Sequence, residues 1–367
     1  MRWISVASIA CGLLIVGCGP KFEETTIDGL RVVTADLKSK GNGQAKFKLP
    51  VNEGETSFLA TVEVESPYHT HFQYLDAPGG ENLFDWEEET LGDHSKTNAG
   101  YIAETVNLNW PVLDSDPALA EGKYKIAFNV VEGREFVASP IRLSVALKAD
   151  DDLTSGVLNV AIVYAGGTDE DEGVVAAVES ALDHWIELYA EIGVDLAFTT
   201  ATYEDGDLDP PAFGTDDAFV EIAEMTGFRE VSVVIAPDIN ALDDVFGIAG
   251  DIPGPLVATR RSGILVSASQ SAGTDGEFDA VDVRVLGETL AHETGHYLGL
   301  FHPVEVTFDT WDALSDTPEC DGEFNCVEAM EDFLMFPFPV CGLVACTPQD
   351  VVTDEQGAVV NRHVAIE

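Results

Sequence analysis

The chain has 367 residues and a formal charge of −48, from 66 acidic against 18 basic side chains. That balance excludes a nucleic-acid binder and argues against docking on anionic lipid surfaces. It is also uneven: residues 1–150 hold 13 Lys+Arg against 22 Asp+Glu and residues 151–367 hold 5 against 44, so a domain boundary is expected near Ala149-Asp150-Asp151-Asp152. A solvated surface accounts for most of the acidity; carboxylate clusters could also hold Ca2+, a hard cation, although no EF-hand spacing is present.

In chain order, the first element concerns export. After Met1-Arg2-Trp3 an apolar run extends from Ile4 to Val16 and stops at Gly17-Cys18. It is too short to span a membrane permanently and reads as a secretory signal. Ile15-Val16-Gly17-Cys18 resembles the bacterial lipobox. The resemblance implies removal of residues 1–17, a lipid on Cys18, and an exported protein anchored to a bacterial membrane, at the outer membrane or cell surface. The alternative is an ordinary signal peptide with an incidental cysteine. Residues 18–44 are polar, contain glycine and show no period, so a tether is expected there.

From about residue 45 to 150 the pattern is short and strand-like. Phe58 to Val64 partly alternates, Tyr124 to Val130 alternates clearly, and Ile141 to Val145 closes the region. Roughly a hundred residues of this kind predict an all-β, sandwich-like domain. His69-Thr70-His71 could place two imidazoles on one strand face, but no third ligand stands nearby in sequence.

The second half, 151–367, alternates strands and helices, which predicts an α/β layer. Val157 to Tyr164 has the apolar run of a strand buried on both faces. Acidic residues from Asp169 to Glu172 precede a helix predicted over about 174–192, where they complement the positive end of its dipole. A strand at Val194 to Thr200, a loop at Asp205 to Pro211, a helix at Ala218 to Met225 and strands at Val231 to Ile235 and Gly263 to Ala268 follow. Val283, Leu286 and Leu290 then recur at helical spacing.

That last helix runs into His292-Glu293-Thr294-Gly295-His296-Tyr297-Leu298-Gly299-Leu300-Phe301-His302. His292 and His296, four apart, project from one helix face. Gly299 can take a left-handed conformation and end the helix, so that the chain turns back and brings in His302. Three imidazoles leave one tetrahedral position open, the ligand count of a catalytic zinc ion. Glu293 stands beside the first ligand as candidate general base. The pattern is the long zincin signature H-E-x-x-H-x-x-G-x-x-H. A solvated histidine pair would explain the short HExxH form, but not Gly299 and His302 at the required offsets.

With Cys11 and Cys18 assigned to the export region, Cys320, Cys326, Cys341 and Cys346 remain. In an oxidising compartment two disulfides are expected, with three pairings open. A four-cysteine zinc site fits the spacings poorly.

These motifs together resemble the metzincin clan of zinc endopeptidases, pappalysin-like proteins in particular. Beyond the histidines, the likeness rests on Asp312-Ala313-Leu314-Ser315-Asp316-Thr317-Pro318, on Phe333-Leu334-Met335 at the place of the Met-turn, and on paired cysteines bracketing both. It covers about residues 156–350. It implies a metzincin-like zincin domain, α/β (α+β) in class, with a disulfide-rich C-terminal subdomain and Met335 as an apolar floor beneath the zinc. Many such proteins carry a tyrosine two residues after that methionine; here the position is Pro337.

The resulting expectation is a lipid-anchored zinc endopeptidase acting on protein or peptide substrates, with one catalytic Zn2+ and Glu293 as base. The strand at Gly263 to Ala268 is the expected platform for extended substrate, and the basic pair Arg260-Arg261 is more simply explained by structural ion pairing. A surface binding or adhesion lipoprotein that holds zinc without cleaving is the alternative. The substrate, the oligomeric state and the role of the β domain are not encoded in these motifs.

Overall fold

The computed structural model describes residues 21–98, 101–150, 152–204, 213–214, 217–239, 245–273, 276–341 and 346–367. The expected leader, Cys18 and the loop at Asp205 to Pro211 lie outside them. Strands β1 (Glu23–Ile27), β2 (Leu30–Lys38), β3 (Gln44–Val51), β4 (Ser57–Glu63), β5 (His69–Asp76) and β6 (Asn82–Asp85) come first. After a short helix α1 (Trp86–Leu91) come β7 (His94–Ser95), β8 (Thr105–Trp110), β9 (Gly122–Glu132), β10 (Glu135–Phe136) and β11 (Pro140–Lys148). The second half runs β12 (Gly156–Ala165), α2 (Glu172–Ala190), β13 (Val194–Tyr203), α3 (Ala218–Met225), β14 (Glu230–Ala236), β15 (Gly247–Ala249) and β16 (Ile264–Ser267). Helices α4 (Ala268–Ser271) and α5 (Ala280–Tyr297), β17 (Trp311–Asp312), α6 (Glu323–Met330) and α7 (Asp354–Arg362) complete it.

Two antiparallel sheets face each other in the first half, ordered β1-β2-β11-β4-β8 and β10-β9-β5-β6, with β3 also paired to β9. Phe47, Phe58, Tyr124, Phe128 and Leu143 fill the space between them. The segment 18–44 is therefore not a tether throughout: residues 23–38 are two strands of the first sheet. β1, Glu-Glu-Thr-Thr-Ile, is exposed along its whole length and carries no hydrophobic alternation for the sequence to reveal.

The partial alternation of β4 has a physical cause. Phe58, Ala60 and Val62 face the sandwich interior, while Leu59 joins Leu30, Val32 and Ala146 in a second core shared with the α/β half. The middle of the first sheet is thus buried on both faces. Polar contacts seal the same boundary: Lys148 Nζ donates to Asn361 O at 3.1 Å, and the guanidinium of Arg229 donates to the carbonyls of Val364, Ile366 and Asp28.

The third sheet, β13-β12-β14-β16-β15, is parallel except for β15. Asp171 caps α2 by accepting from the N–H groups of Gly173 and Val174. Val174, Ala177, Val178, Ala181, Trp185 and Leu188 form its buried stripe. Helix α5 packs against α2 closely enough that a Cβ on Gly287 would lie 2.9 Å from Ala181 O. Its first turn carries a capping box of Asp279 and Asp282.

The disulfides are Cys320–Cys326 and Cys341–Cys346. Each closes a loop of its own, so neither spans Asp312 to Pro318 or Met335, contrary to the bracketing expected from the resemblance. The acidic segment acts locally: Asp316 accepts from Thr353 Oγ1 and Glu355 N at the start of α7, and Asp312 accepts from Thr317 Oγ1 and Leu314 N.

Candidate metal centre

Helix α5 presents His292 and His296 on one face, their ring centroids 4.7 Å apart. It ends in a Schellman turn. Gly299 has φ +109°, its N–H donates to His296 O, and the N–H of Leu300 donates to Gly295 O. Two carbonyls of the last turn are thereby satisfied and the chain reverses, carrying His302 to 4.6 Å from His296, centroid to centroid. One ligating atom from each of the three histidines lies within 4.8 Å of the others.

Second contacts fix which nitrogen each ring turns inward. His292 Nδ1 donates to Leu334 O and His296 Nδ1 to Leu300 O, both at 2.7 Å. Carbonyl oxygens can only accept, so both Nδ1 atoms carry the hydrogen and both Nε2 atoms offer lone pairs. His302 Nδ1 pairs with Glu305 Oε2 at 3.0 Å. The Nε2 atoms of His296 and His302 lie 3.1 Å apart, close enough to share one proton or one ion. Ligands bonded at about 2.0–2.1 Å to a tetrahedral zinc stand about 3.3–3.4 Å from one another. The donor set fits such an ion: three imidazole nitrogens, neutral and convergent. Burial lowers His292 to about 3 and His296 well below its usual value, which keeps both neutral.

Glu293 is buried beside His292, and burial raises its carboxyl to about 8 against the bond it accepts from the Ala249 N–H. Ala249 ends β15, and Gly247 on the same strand packs against Glu293 Cγ. The expected platform, β16, is hydrogen-bonded on both sides by β14 and β15, so the edge position belongs to β15. Beside His292 and Glu293 a cavity of about 150 Å3 is lined by Phe246, Val285, Thr289, Phe336, Phe338 and Gln349, with Pro337 in its wall.

Met335 is fully buried, and its Sδ would be 2.7 Å from a Cβ on Gly295, in the motif itself. The same turn supplies Leu334 O to His292, a link invisible in sequence because its partners are 42 residues apart. Tyr297 turns away, its hydroxyl donating to Pro255 O and accepting from Gly263 N. Arg260 pairs with Asp217, and Arg261 stacks on Tyr101 at 4.6 Å, so both are held structurally. His69 and His71 diverge: His71 stacks on Trp86 while His69 approaches Glu104. Among the described residues the side chains grouped closely enough to share an ion are the three histidines, so no carboxylate cluster supports Ca2+.

No family model matches the chain, and neither does any curated protein. Solved structures give distant likenesses. Metalloproteinase-II from Bacteroides fragilis is 10% identical over 96% of this chain and 86% of its own, with a TM-score of 0.34. Archaemetzincin from Methanopyrus kandleri is 14% identical over 60% and 92%, with a TM-score of 0.30. A periplasmic inhibitor of g-type lysozyme from Aeromonas hydrophila is 16% identical over 34% and 92%, at 0.21. At such scores the likeness carries no functional weight; the residues must.

Proposed function

We propose that this chain is an exported, lipid-anchored zinc endopeptidase of metzincin type. The observation that carries the reading is the convergence of His292, His296 and His302, each with Nδ1 engaged, beside a buried carboxyl that no structural site needs. The three Nε2 atoms would hold zinc, which when bound supplies Lewis acidity and a water made nucleophilic at neutral pH.

The protein's own groups do the rest. Glu293 takes the proton of the attacking water on its free carboxylate oxygen and passes it to the departing amine. The Ala249 N–H favours the ionised form needed at the start; burial favours the protonated form that follows. The cationic site would pull the carboxyl down from about 8 toward neutrality, where exchange in both directions is cheap. The edge of β15 offers backbone groups to an extended peptide, and the cavity beside His292 takes one of its side chains. Export and a lipid on Cys18 are proposed on the apolar run Ile4 to Val16 and the residues that end it. Among the described residues no helix is long and apolar enough to cross a membrane.

The test is zinc content and casein cleavage for the wild type and Glu293→Gln. About one zinc per chain in both, with cleavage lost in the variant, is expected. Zinc in both with cleavage in neither would replace the enzyme by a zinc-holding binding protein.

A further inference from the structure

Of the nine lysines in the sequence, Lys148 is buried and Lys96 is half-buried beside Asp116. The other seven are exposed, and six of them are gathered. Lys46 and Lys48 point outward from β3 while Ala45, Phe47 and Leu49 point in. On β9, Lys123 and Lys125 alternate in the same way with Tyr124 and Ile126. The register sets Lys48 directly opposite Lys125. Lys38 and Lys40 extend the patch at its rim, lining with Lys46 a cavity of about 340 Å3. Asp76 lies 3.5 Å from Lys125, and Asp36 lines the rim cavity. Like charges opposed across a strand pair weaken a sheet, so this arrangement is not what folding alone favours.

The direction of the face matters more than its size. The first sheet turns its outer side to the acidic α/β half; Lys46, Lys48, Lys123 and Lys125 occupy the outer side of the second. Two sheet layers about 10 Å apart separate them from the acidic half, beyond the Debye length of about 8 Å at physiological salt. The net charge of −48 therefore does not describe what this face presents.

The first described residues reach the same strand. Phe22 packs edge-on against Phe47, ring centroids 5.9 Å apart, on the interior side of β3 and opposite to the side that carries Lys46 and Lys48. Cys18 precedes Phe22 by four residues, at most about 14 Å of extended chain. We infer that the lysine face of β3 and β9 lies on a bilayer bearing anionic headgroups, as the electrostatic partner of the anchor at the chain's start. A lipid anchor gains from such a second contact, and lysine suits it as a compact, hydrated point charge. A nucleic acid would not account for the lysine-bearing strand lying so few residues from Cys18 along the chain. The inference is independent of the metal centre.

Protein beginning at Gly19, which keeps every described residue but no anchor, is mixed with vesicles of phosphatidylcholine alone or with about a third phosphatidylglycerol, and binding is read by flotation. Binding to the anionic vesicles alone, lost progressively as salt rises, is expected. Lys46→Gln, Lys48→Gln, Lys123→Gln and Lys125→Gln together should weaken it at least about tenfold without lowering the melting temperature. Equal binding to both vesicles, or salt-insensitive binding, overturns the inference whatever the variant does. A wild-type dimer that the variant dissolves, with no vesicle binding, also overturns it and assigns the face to a second copy.

Discussion

His302 Nδ1 and Glu305 Oε2 lie 3.0 Å apart, so the last histidine of the motif is held by a carboxylate that the motif does not contain. Glu305 is itself fixed: its N–H donates to Thr310 O, Val304 bridges Trp311, and Trp311 pairs with His94 of the β domain. The proposed third ligand is thus oriented through a hairpin that the first half of the chain helps to hold. Replacing Glu305 by Ala should cut zinc affinity by about 10- to 100-fold, the usual effect of losing such a partner. Chelator competition measures it. An unchanged dissociation constant would show that the carboxylate is incidental.

Met335 and Gly295 make a second testable pair. A Cβ at Gly295 would stand 2.7 Å from Met335 Sδ and 3.3 Å from Leu300 Cδ1. Gly295→Ala should cost about 1–3 kcal/mol by overpacking, and Met335→Ala about 2–5 kcal/mol by leaving a cavity. The two should not add, because the smaller side chain makes room for the new methyl. Urea denaturation of both single variants and the double variant decides; strict additivity would mean that the sulfur does not press on the motif helix.

How much of this was legible in the sequence follows from distance along the chain. His292, Glu293, His296, Gly299 and His302 lie within one helix and its turn, where period and capping rules apply directly. The partners of the imidazoles are two backbone carbonyls and Glu305, and neither a carbonyl nor a hairpin carboxylate has a local signature. β1 was hidden by its exposure, and the true sheet edge by the brevity of β15, three residues long. The Lys-Phe-Lys run of β3 and the Lys-Tyr-Lys run of β9 are far apart in sequence, and it is the pairing of β3 with β9 that puts them on one face.

Asp251 was also unreadable, standing in a loop of glycine and proline. It is buried between the halves and accepts from Asn98 Nδ2, Asn107 Nδ2 and Ile252 N, each at 2.9 Å. Burial outweighs these bonds and raises its carboxyl to about 7. Its folded pKa is above the unfolded one, so the native state binds the extra proton between pH ~4 and ~7. The stability this group contributes is full below pH ~4 and lost as pH rises through about 7, a few kcal/mol at most. Asp251→Asn removes that dependence. The difference in urea midpoint between wild type and variant should shift against the wild type from pH 4 to 7.5; a constant difference would show that Asp251 titrates as an ordinary carboxylate.

Tyr297 bears on the proposed chemistry because it is the tyrosine within the motif itself. Its surroundings argue for a structural role. The hydroxyl accepts from Gly263 N and donates to Pro255 O, its backbone oxygen accepts from Gly254 N, and a Cβ on Gly254 would collide with its ring. It therefore ties the loop ahead of β16 to the end of α5. Tyr297→Phe leaves a buried N–H and a buried carbonyl without that partner and should cost about 1–3 kcal/mol, while zinc content and cleavage per folded molecule stay unchanged. The measurement is paired: denaturation for stability, metal analysis and initial rates for the site. A variant as stable as the wild type but slower in cleavage would move Tyr297 from the scaffold into the reaction.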